Sequence, residues 1–272
     1  MTPSSAPAPA TPAGQPARKP FGWSLGQKAL LLAAVAYGVW SLSGMGVSSE
    51  RLASGWAQGA RFLGSLFPPE LGKMDELWQG IKETLQIAVL ATALGLVLSL
   101  PVGLMSAANL TPAPLRMAGR TLIAACRALH PVISAILFVK AVGFGPLAGI
   151  LALVVATVGF VGKLFADAIE EISPKPIEAM RATGASFANV VLFGVLPQVT
   201  SRFVGFATYQ LDSNLRNSTM VGIVGAGGIG GALFSAFLRY EYSFVCTILA
   251  TVITIIVAGE LLVNAMRKAL DV

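Results

Sequence analysis

The sequence predicts an all-α membrane protein with about six transmembrane helices, and three observations support this. Hydrophobic residues make up 55% of the chain and charged residues only 12%, whereas about a quarter of the residues in a soluble domain are charged. Several uncharged runs approach the roughly 20 residues that a helix needs to cross about 30 Å of hydrocarbon. The basic residues stand in ones and twos between these runs, as they do in short cytoplasmic segments.

The net charge of +6 does not indicate nucleic-acid binding. The basic residues form no stripe that follows a phosphate backbone. The two cysteines, Cys126 and Cys246, lie inside apolar runs and lack the spacing of a metal site. We therefore expect membrane lipid around the chain, no nucleic-acid partner, and no metal bound to it.

Residues 1–24 are predicted to be a disordered cytoplasmic tail, because they are rich in Pro, Ala, Ser and Thr. Arg18, Lys19 and Lys28 flank the next apolar run, as in a signal peptide, but that run is too long and no cleavage site follows it. We therefore expect residues 25–45 to hold a retained first transmembrane helix.

Residues 46–83 are predicted to be an extracytoplasmic or interfacial segment of short amphipathic pieces, because aromatic and charged residues alternate around Pro68 and Pro69. The core of the protein should then occupy residues 84–266. Its spans are expected at 84–107, 121–139, 147–165, 190–211 and 244–264. Six spans in total would leave both termini in the cytoplasm.

Residues 214–238 combine polar side chains with many glycines at membrane depth. A glycine inside a helix costs up to about 1 kcal/mol relative to alanine, and irregular backbone in a membrane is tolerated only inside protein or along an aqueous cavity. We therefore predict a translocation path or gate here, since a further full span would place Arg267 and Lys268 outside. The candidate residues are Asn214, Arg216, Ser218, Thr219, Gly225, Gly227, Gly228 and Gly230.

Arg216 has two interpretations. With the hydroxyl and amide groups that follow, it offers a cation and donors suited to a passing oxyanion; alternatively, it forms a structural ion pair with Asp212. Residues 225–230 also match G-x-G-x-x-G, the dinucleotide fingerprint. That function is excluded, because no acidic residue occurs between 242 and 259 to bind a ribose and no βαβ unit is predicted.

The charged stretch after the fourth span carries a motif that resembles a known family. Glu178-Ala179 is followed by Gly184 and, after an apolar stretch, by Val195-Leu196-Pro197. This pattern is similar to the coupling loop of ABC-importer permeases. The resemblance implies a coupling loop at 166–189 that contacts an ATPase subunit, whereas the alternative is an ordinary surface helix. The implied contact residues are Glu178, Ala179, Arg181 and Gly184.

Wider stretches resemble the phosphonate-uptake permeases, and the similarity covers residues 84–262. The resemblance implies a type I ABC-importer permease (MetI-like) helical bundle in the bacterial inner membrane that moves phosphonate, or a phosphite- or phosphate-like oxyanion. It also implies a homodimer, two ATP-binding subunits and an extracytoplasmic substrate-binding protein. The chain departs from the family at 127–131, where relatives more often carry an acidic residue near the proline. The stretches that resemble the family are 143–149, 162–171, 181–185 and 214–230.

The chain carries no G-x-x-x-x-G-K-[ST] motif, since Leu164 follows Gly162-Lys163. We therefore expect a non-catalytic subunit without a cofactor of its own, whose partner ATPase uses ATP and Mg. Within the family, an amino acid such as methionine is the alternative substrate. A gradient-driven secondary transporter and a structural scaffold are alternatives from other classes, and the scarcity of intramembrane acids, essentially Glu260, argues against the transporter.

Overall fold

Every regular element is a helix in the computed structural model, which describes residues 24–44, 46 and 48–269. No strand occurs in these ranges, and the predicted all-α class is confirmed. The tail predicted at 1–24 lies, apart from residue 24, outside the described residues and stays a prediction. The helices are α1 (Leu25–Gly44), α2 (Ser49–Ser65), α3 (Met74–Ser106), α4 (Ala113–Ala128), α5 (Pro131–Val142), α6 (Pro146–Glu170), α7 (Pro174–Ala182), α8 (Phe187–Ala226), α9 (Ile229–Leu238) and α10 (Tyr242–Ala269).

Five described helices are long and apolar enough to cross a membrane, and a sixth span results if the bent pair α4–α5 is counted as one. This number agrees with the predicted six. The five are α1, α3, α6, α8 and α10.

The segment between α1 and the core differs in detail from the expectation. α1 begins at Leu25, and none of its residues is buried. The expected interfacial segment at 46–83 contains α2, but its last ten residues already belong to α3, which begins at Met74. Asp75 and Glu76 lie in the first turn of α3, where negative charge complements the helix dipole. The second span therefore starts before the expected residue 84.

α3 and α6 form the central packing of residues 62–269. They approach closely at glycines: a Cβ on Gly95 would lie 2.5 Å from the Cβ of Thr157, and a Cβ on Gly103 would lie 2.7 Å from Cδ1 of Phe165. Small residues allow such close approach between membrane helices, where packing rather than the hydrophobic effect holds helices together. The two helices therefore form a closely packed pair, which α4, α5, α8 and α9 contact.

The span expected at 121–139 is two helices rather than one. α4 and α5 meet at an angle of 91°. Pro131 begins α5, and it both lacks an N–H and disfavours helical backbone at the preceding residue. His130 adopts extended backbone there, and its Nδ1 accepts a hydrogen bond from the Val132 N–H at 3.3 Å. The single histidine therefore caps α5.

α8 is much longer than the span expected at 190–211. It covers 40 residues and contains π-helical turns at Val190–Val195 and Gly222–Ala226, the second of which is kinked at Val224 and Gly225, where the backbone is not helical. The helix therefore continues past residue 211 and first breaks at Val224 and Gly225, among the glycines where irregular backbone was expected. The following α9 has only 10 residues, about 15 Å, and is too short for an ordinary span.

Candidate coupling and translocation sites

α7 carries the predicted coupling residues on an open face. Ile177 is 4% exposed and packs in a cluster with Val190, Val195 and other apolar side chains of α8, α6 and the end of α3. Glu178, Ala179 and Arg181 are exposed. Ile177, together with the half-buried Met180, thus fastens the helix to the core, while the predicted contact residues remain accessible together.

Gly184 ends this helix in a left-handed conformation with φ +75°. The N–H of Ala185 donates to the Met180 carbonyl at 3.2 Å, and the N–H of Gly184 donates to the Arg181 carbonyl at 3.0 Å. These two bonds make a Schellman motif, in which glycine is favoured because it has no Cβ. Gly184 is exposed, and an added Cβ would meet no atom within 4 Å. Its role in the structure is therefore conformational.

Asn214, a predicted path residue, is fully buried where α3, α6 and α8 meet. Its Nδ2 donates to Oγ1 of Thr92 at 2.9 Å and to Oγ1 of Thr157 at 3.1 Å. Gln210 donates from Nε2 to Oδ1 of Asn214 and to Oγ1 of Thr157, both at 3.0 Å. The four side chains join three helices through a polar network inside an apolar bundle.

Sequence reasoning missed three members of this network. Thr92 and Thr157 gave no signal, because a threonine in an apolar span often donates a hydrogen bond to a carbonyl of its own helix. Both do so here, to the carbonyls of Ala88 and Leu153. Gln210 offered a signal, since it stands four residues before Asn214 and therefore on the same helix face.

Replacing Asn214 with leucine should destabilise the bundle. The change removes three hydrogen bonds and leaves the Gln210 amide with only its bond to Thr157. At roughly 0.6–1.7 kcal/mol per interhelical hydrogen bond in membranes, we expect a loss of about 2 kcal/mol, measured by thermal unfolding in detergent. Asn217→Leu is the control, because Asn217 is half-buried and, among the residues that the structure describes, its side chain bonds only Ser213 on its own helix. Equal losses in both variants would contradict a role for the network.

The other polar path candidates on α8 are not gathered around one point. Ser218 is buried, and its hydroxyl donates to the Leu215 carbonyl of its own helix. Arg216 is exposed, and its Nη2 lies 3.0 Å from Oδ2 of Asp212. Thr219 is half-buried. The structure thus contains the Arg216–Asp212 ion pair that was one of the two interpretations of Arg216.

The glycines around the end of α8 form a tight reversal. Gly225, Gly227 and Gly228 have φ values of +93°, +77° and +76°, which side chains with a Cβ rarely adopt. The Gly145 N–H donates to the Gly225 carbonyl at 3.0 Å. Three of the four predicted gate glycines therefore build one turn from α8 to α9, next to the α5–α6 turn, and the fourth, Gly230, lies in the first turn of α9.

Two residues of α3 hold the start of α9, and sequence reasoning assigned no role to either. Oε2 of Glu83 accepts a hydrogen bond from the Gly228 N–H at 2.8 Å, and Oγ1 of Thr84 accepts one from the Ile229 N–H at 2.8 Å. Gln79 donates to the second oxygen of Glu83 at 3.0 Å. The free N–H groups at a helix start need such acceptors. Movement of α9 would therefore break specific bonds to α3.

Ion pairs connect the α9–α10 turn to the beginning of α3. Glu241 lies 2.6 Å from the ammonium of Lys73 and 3.2 Å from Nε of Arg239, and Arg239 also lies 3.1 Å from Glu76. The Lys73 ammonium, with a smaller contribution from Arg239, holds the pKa of the Glu241 carboxyl below its ordinary value. The turn is thus tied to α3 by charge as well as by the α9 cap.

This depressed pKa predicts a pH-dependent contribution to stability. Because the pKa of Glu241 is lower in the folded chain than in the unfolded one, the contribution is present above the ordinary carboxyl pKa and disappears as pH falls through the folded value. We expect Glu241→Gln to lower the unfolding temperature at pH 7, with the difference from wild type vanishing in acid. A difference that stays constant across this range would contradict the ion-pair origin.

A comparison with known protein families identifies the family of this chain. Residues 99–271 match the family described as "Binding-protein-dependent transport system inner membrane component". The matched residues include α7, Gly184, Gln210 and Asn214 of the polar network, and the glycine turn. The chain belongs to this family. It is a multi-pass inner-membrane transport component, and the predicted permease fold is confirmed.

Two relatives and one solved structure show which transport proteins this permease is similar to. It is 37% identical to the phosphite transport system permease protein PtxC of Stutzerimonas stutzeri, over 91% of this chain and 90% of that one. It is 39% identical to the phosphate-import permease protein PhnE of Mycolicibacterium smegmatis, over 75% of this chain and 39% of that one. A structure of the MetNI methionine ABC transporter in an inward-facing conformation superposes with a TM-score of 0.64 at 26% identity, covering 74% of this permease and 99% of that chain.

Proposed function

We propose that the permease is the membrane-spanning subunit of an ATP-driven importer for phosphorus oxyanions, with phosphonate, phosphite and phosphate as the candidate substrates. The observation that supports this best is the 37% identity to a phosphite permease over 91% of the chain. A methionine importer shares the fold at only 26% identity over 74% of the chain, so an amino acid is the less favoured substrate.

In this proposal two copies of the permease assemble with two ATP-binding subunits and an extracytoplasmic substrate-binding protein. The permease binds no cofactor, and the partner ATPase uses ATP and Mg. Both termini lie in the cytoplasm, consistent with Arg18, Lys19 and Lys28 near one end and Arg267 and Lys268 near the other. α7 then faces the cytoplasm, and the glycine turn faces the outside.

The proposed mechanism uses rigid elements joined by a hinge. The ATPase moves α7 through the exposed contacts at Glu178, Ala179 and Arg181, and Ile177 transmits this motion to the core. The glycine turn lets α9 change its position relative to α8, which opens or closes the outer end of the path. Such a transition needs contacts that differ between two states, and the bonds from Glu83 and Thr84 to α9 are suitable ones.

ATP hydrolysis by the assembled complex tests this proposal. We expect the permease, reconstituted with its ATPase and binding protein, to hydrolyse ATP faster when phosphonate, phosphite or phosphate is added, and not when methionine is added. Stimulation by methionine alone would replace the substrate class. A permease that forms no complex with an ATPase would overturn the proposal.

A further inference from the structure

A small cavity between α4 and the second half of α6 is lined by an unusual number of cations. Its volume is about 230 Å³, and its walls include Arg120, Arg127 and Lys163 but only one carboxylate, that of Asp167. This is below the roughly 300–1,000 Å³ of sites for drug-sized ligands. The cavity therefore suits a small anion or a single headgroup.

Close helix packing gives the cavity a fixed shape. A Cβ on Gly119 of α4 would lie 2.5 Å from the Ser106 hydroxyl oxygen at the end of α3, and a Cβ on Gly159 of α6 would lie 2.9 Å from Cγ of Arg127. α4 is thus pressed against both helices, and each close approach involves a residue that lines the cavity, Ser106 or Arg127. The cavity is therefore built into the packing of three helices.

The cations are not equally neutralised. Nη2 of Arg120 lies 2.6 Å from Oε1 of Glu170, and Lys163 is paired with Asp167 one helical turn later. Arg127 has no hydrogen bond or ion pair from its side chain to any of the residues that the structure describes. Three cations therefore face two carboxylates, which leaves one positive charge in excess.

Arg127 is exposed, and its position along the span makes this excess notable. Its stem lies against Gly159, about 16 Å along α6 from the helix end at Glu170. Arg120 lies close to that end, because it pairs with Glu170. An unpaired arginine within a membrane span is expensive and usually faces a ligand or an aqueous cavity. The cations thus extend from the end of the span toward its interior.

We propose that this cavity binds a tetrahedral phosphorus oxyanion, held by Arg127 with Lys163 and Arg120. The planar guanidinium of Arg127 offers paired N–H donors that match two oxygens of a phosphate-type group, and the Lys163 ammonium adds a point charge. The Ser106 hydroxyl, also in the wall, adds a polar group at the α3 side.

Two kinds of ligand carry such a phosphorus oxyanion. A free phosphate, phosphite or phosphonate ion reaches the cavity from the aqueous phase, and an anionic phospholipid reaches it from the surrounding bilayer, since basic pockets between membrane helices bind such headgroups. A role for the free ion in transport rests on the proposed import function. Binding itself does not, because it is measured on the permease alone.

The test compares three variants of the full-length permease in nanodiscs. Binding of labelled inorganic phosphate and of phosphite is measured in neutral phosphatidylcholine, and thermal stability is measured with and without phosphatidylglycerol. Arg127→Gln removes the unpaired charge but keeps most of the stem. Arg116→Gln is the matched control, because Arg116 lies on the same helix outside the cavity. Asp167→Asn removes the one carboxylate in the wall.

We expect Arg127→Gln to weaken binding of the free ion about tenfold or more, as for loss of a charge-assisted hydrogen bond. Asp167→Asn should strengthen binding a few fold, a gain that a damaged fold does not produce. If the headgroup is the ligand, phosphatidylglycerol stabilises the wild type and Arg116→Gln but not Arg127→Gln, and the free ions have no effect. Absence of both effects in the wild type, or equal responses of Arg127→Gln and Arg116→Gln, would overturn the proposal.

Discussion

Gly184→Leu should abolish the stimulation of ATP hydrolysis by substrate-loaded binding protein while leaving the permease folded in the membrane. Residue 184 must adopt φ +75° to close the Schellman motif, and a left-handed conformation costs a residue with a Cβ about 1–2 kcal/mol. The C-terminal turn of α7 should then shift, and with it the open face that is predicted to contact the ATPase. Stimulated and basal hydrolysis of the reconstituted complex measure the effect.

Gly184→Asn is the matched control for this prediction. Asparagine tolerates the left-handed region far better than leucine, and there is open space around the residue for either side chain. We expect Gly184→Asn to keep most of the stimulation. If Gly184→Leu is stimulated like the wild type, α7 is not the coupling helix.

Gly230→Ala should strongly destabilise the turn between α8 and α9, although it adds only one methyl group. A Cβ on Gly230 would lie 1.9 Å from the Thr219 carbonyl oxygen, which is backbone and part of α8. The two helices must therefore separate. Forced overpacking of this kind costs about 1–3 kcal/mol or more, and we expect a lower unfolding temperature together with a strong loss of uptake.

Gly231→Ala is the matched control, because it makes the same substitution at the neighbouring glycine without a close contact. Its nearest neighbour outside the local helix would be the Gly222 carbonyl oxygen at 3.6 Å, an ordinary contact. Neither position has positive φ, so the two variants differ mainly in packing. We expect Gly231→Ala to behave like the wild type, and equal damage from both substitutions would refute the packing explanation.

The helical class and most of the spans were predictable, because a long uncharged run in a membrane must satisfy its backbone hydrogen bonds internally, and a helix does so. The boundaries were less predictable. α3 begins at Met74 because a helix continues beyond the hydrocarbon wherever its polar residues permit it. The bend before Pro131 was signalled by the proline, yet apolar composition continues across it and therefore suggested one span. α8 likewise continues through Asn214, whose polar side chain finds partners inside the bundle.

The candidate sites also combine features that the sequence predicts with features that it does not. The exposed face of α7 and the left-handed Gly184 depend on local sequence, which a motif contains, and their role in coupling stays a prediction. The partners of Asn214 and the α3 residues that hold α9 come from distant parts of the chain, for example Glu83 bonding Gly228. Such pairs depend on how helices pack, and a single sequence does not contain that information in readable form.

Uptake of labelled phosphite into proteoliposomes tests the central claim most directly. The permease is reconstituted with its ATPase and binding protein, and uptake is compared under enclosed ATP, under a proton or sodium gradient alone, and with the ATPase omitted. We predict uptake that needs ATP, the ATPase and the binding protein, and that competes with phosphonate or phosphate but not with methionine. Uptake driven by a gradient without the ATPase would contradict the account.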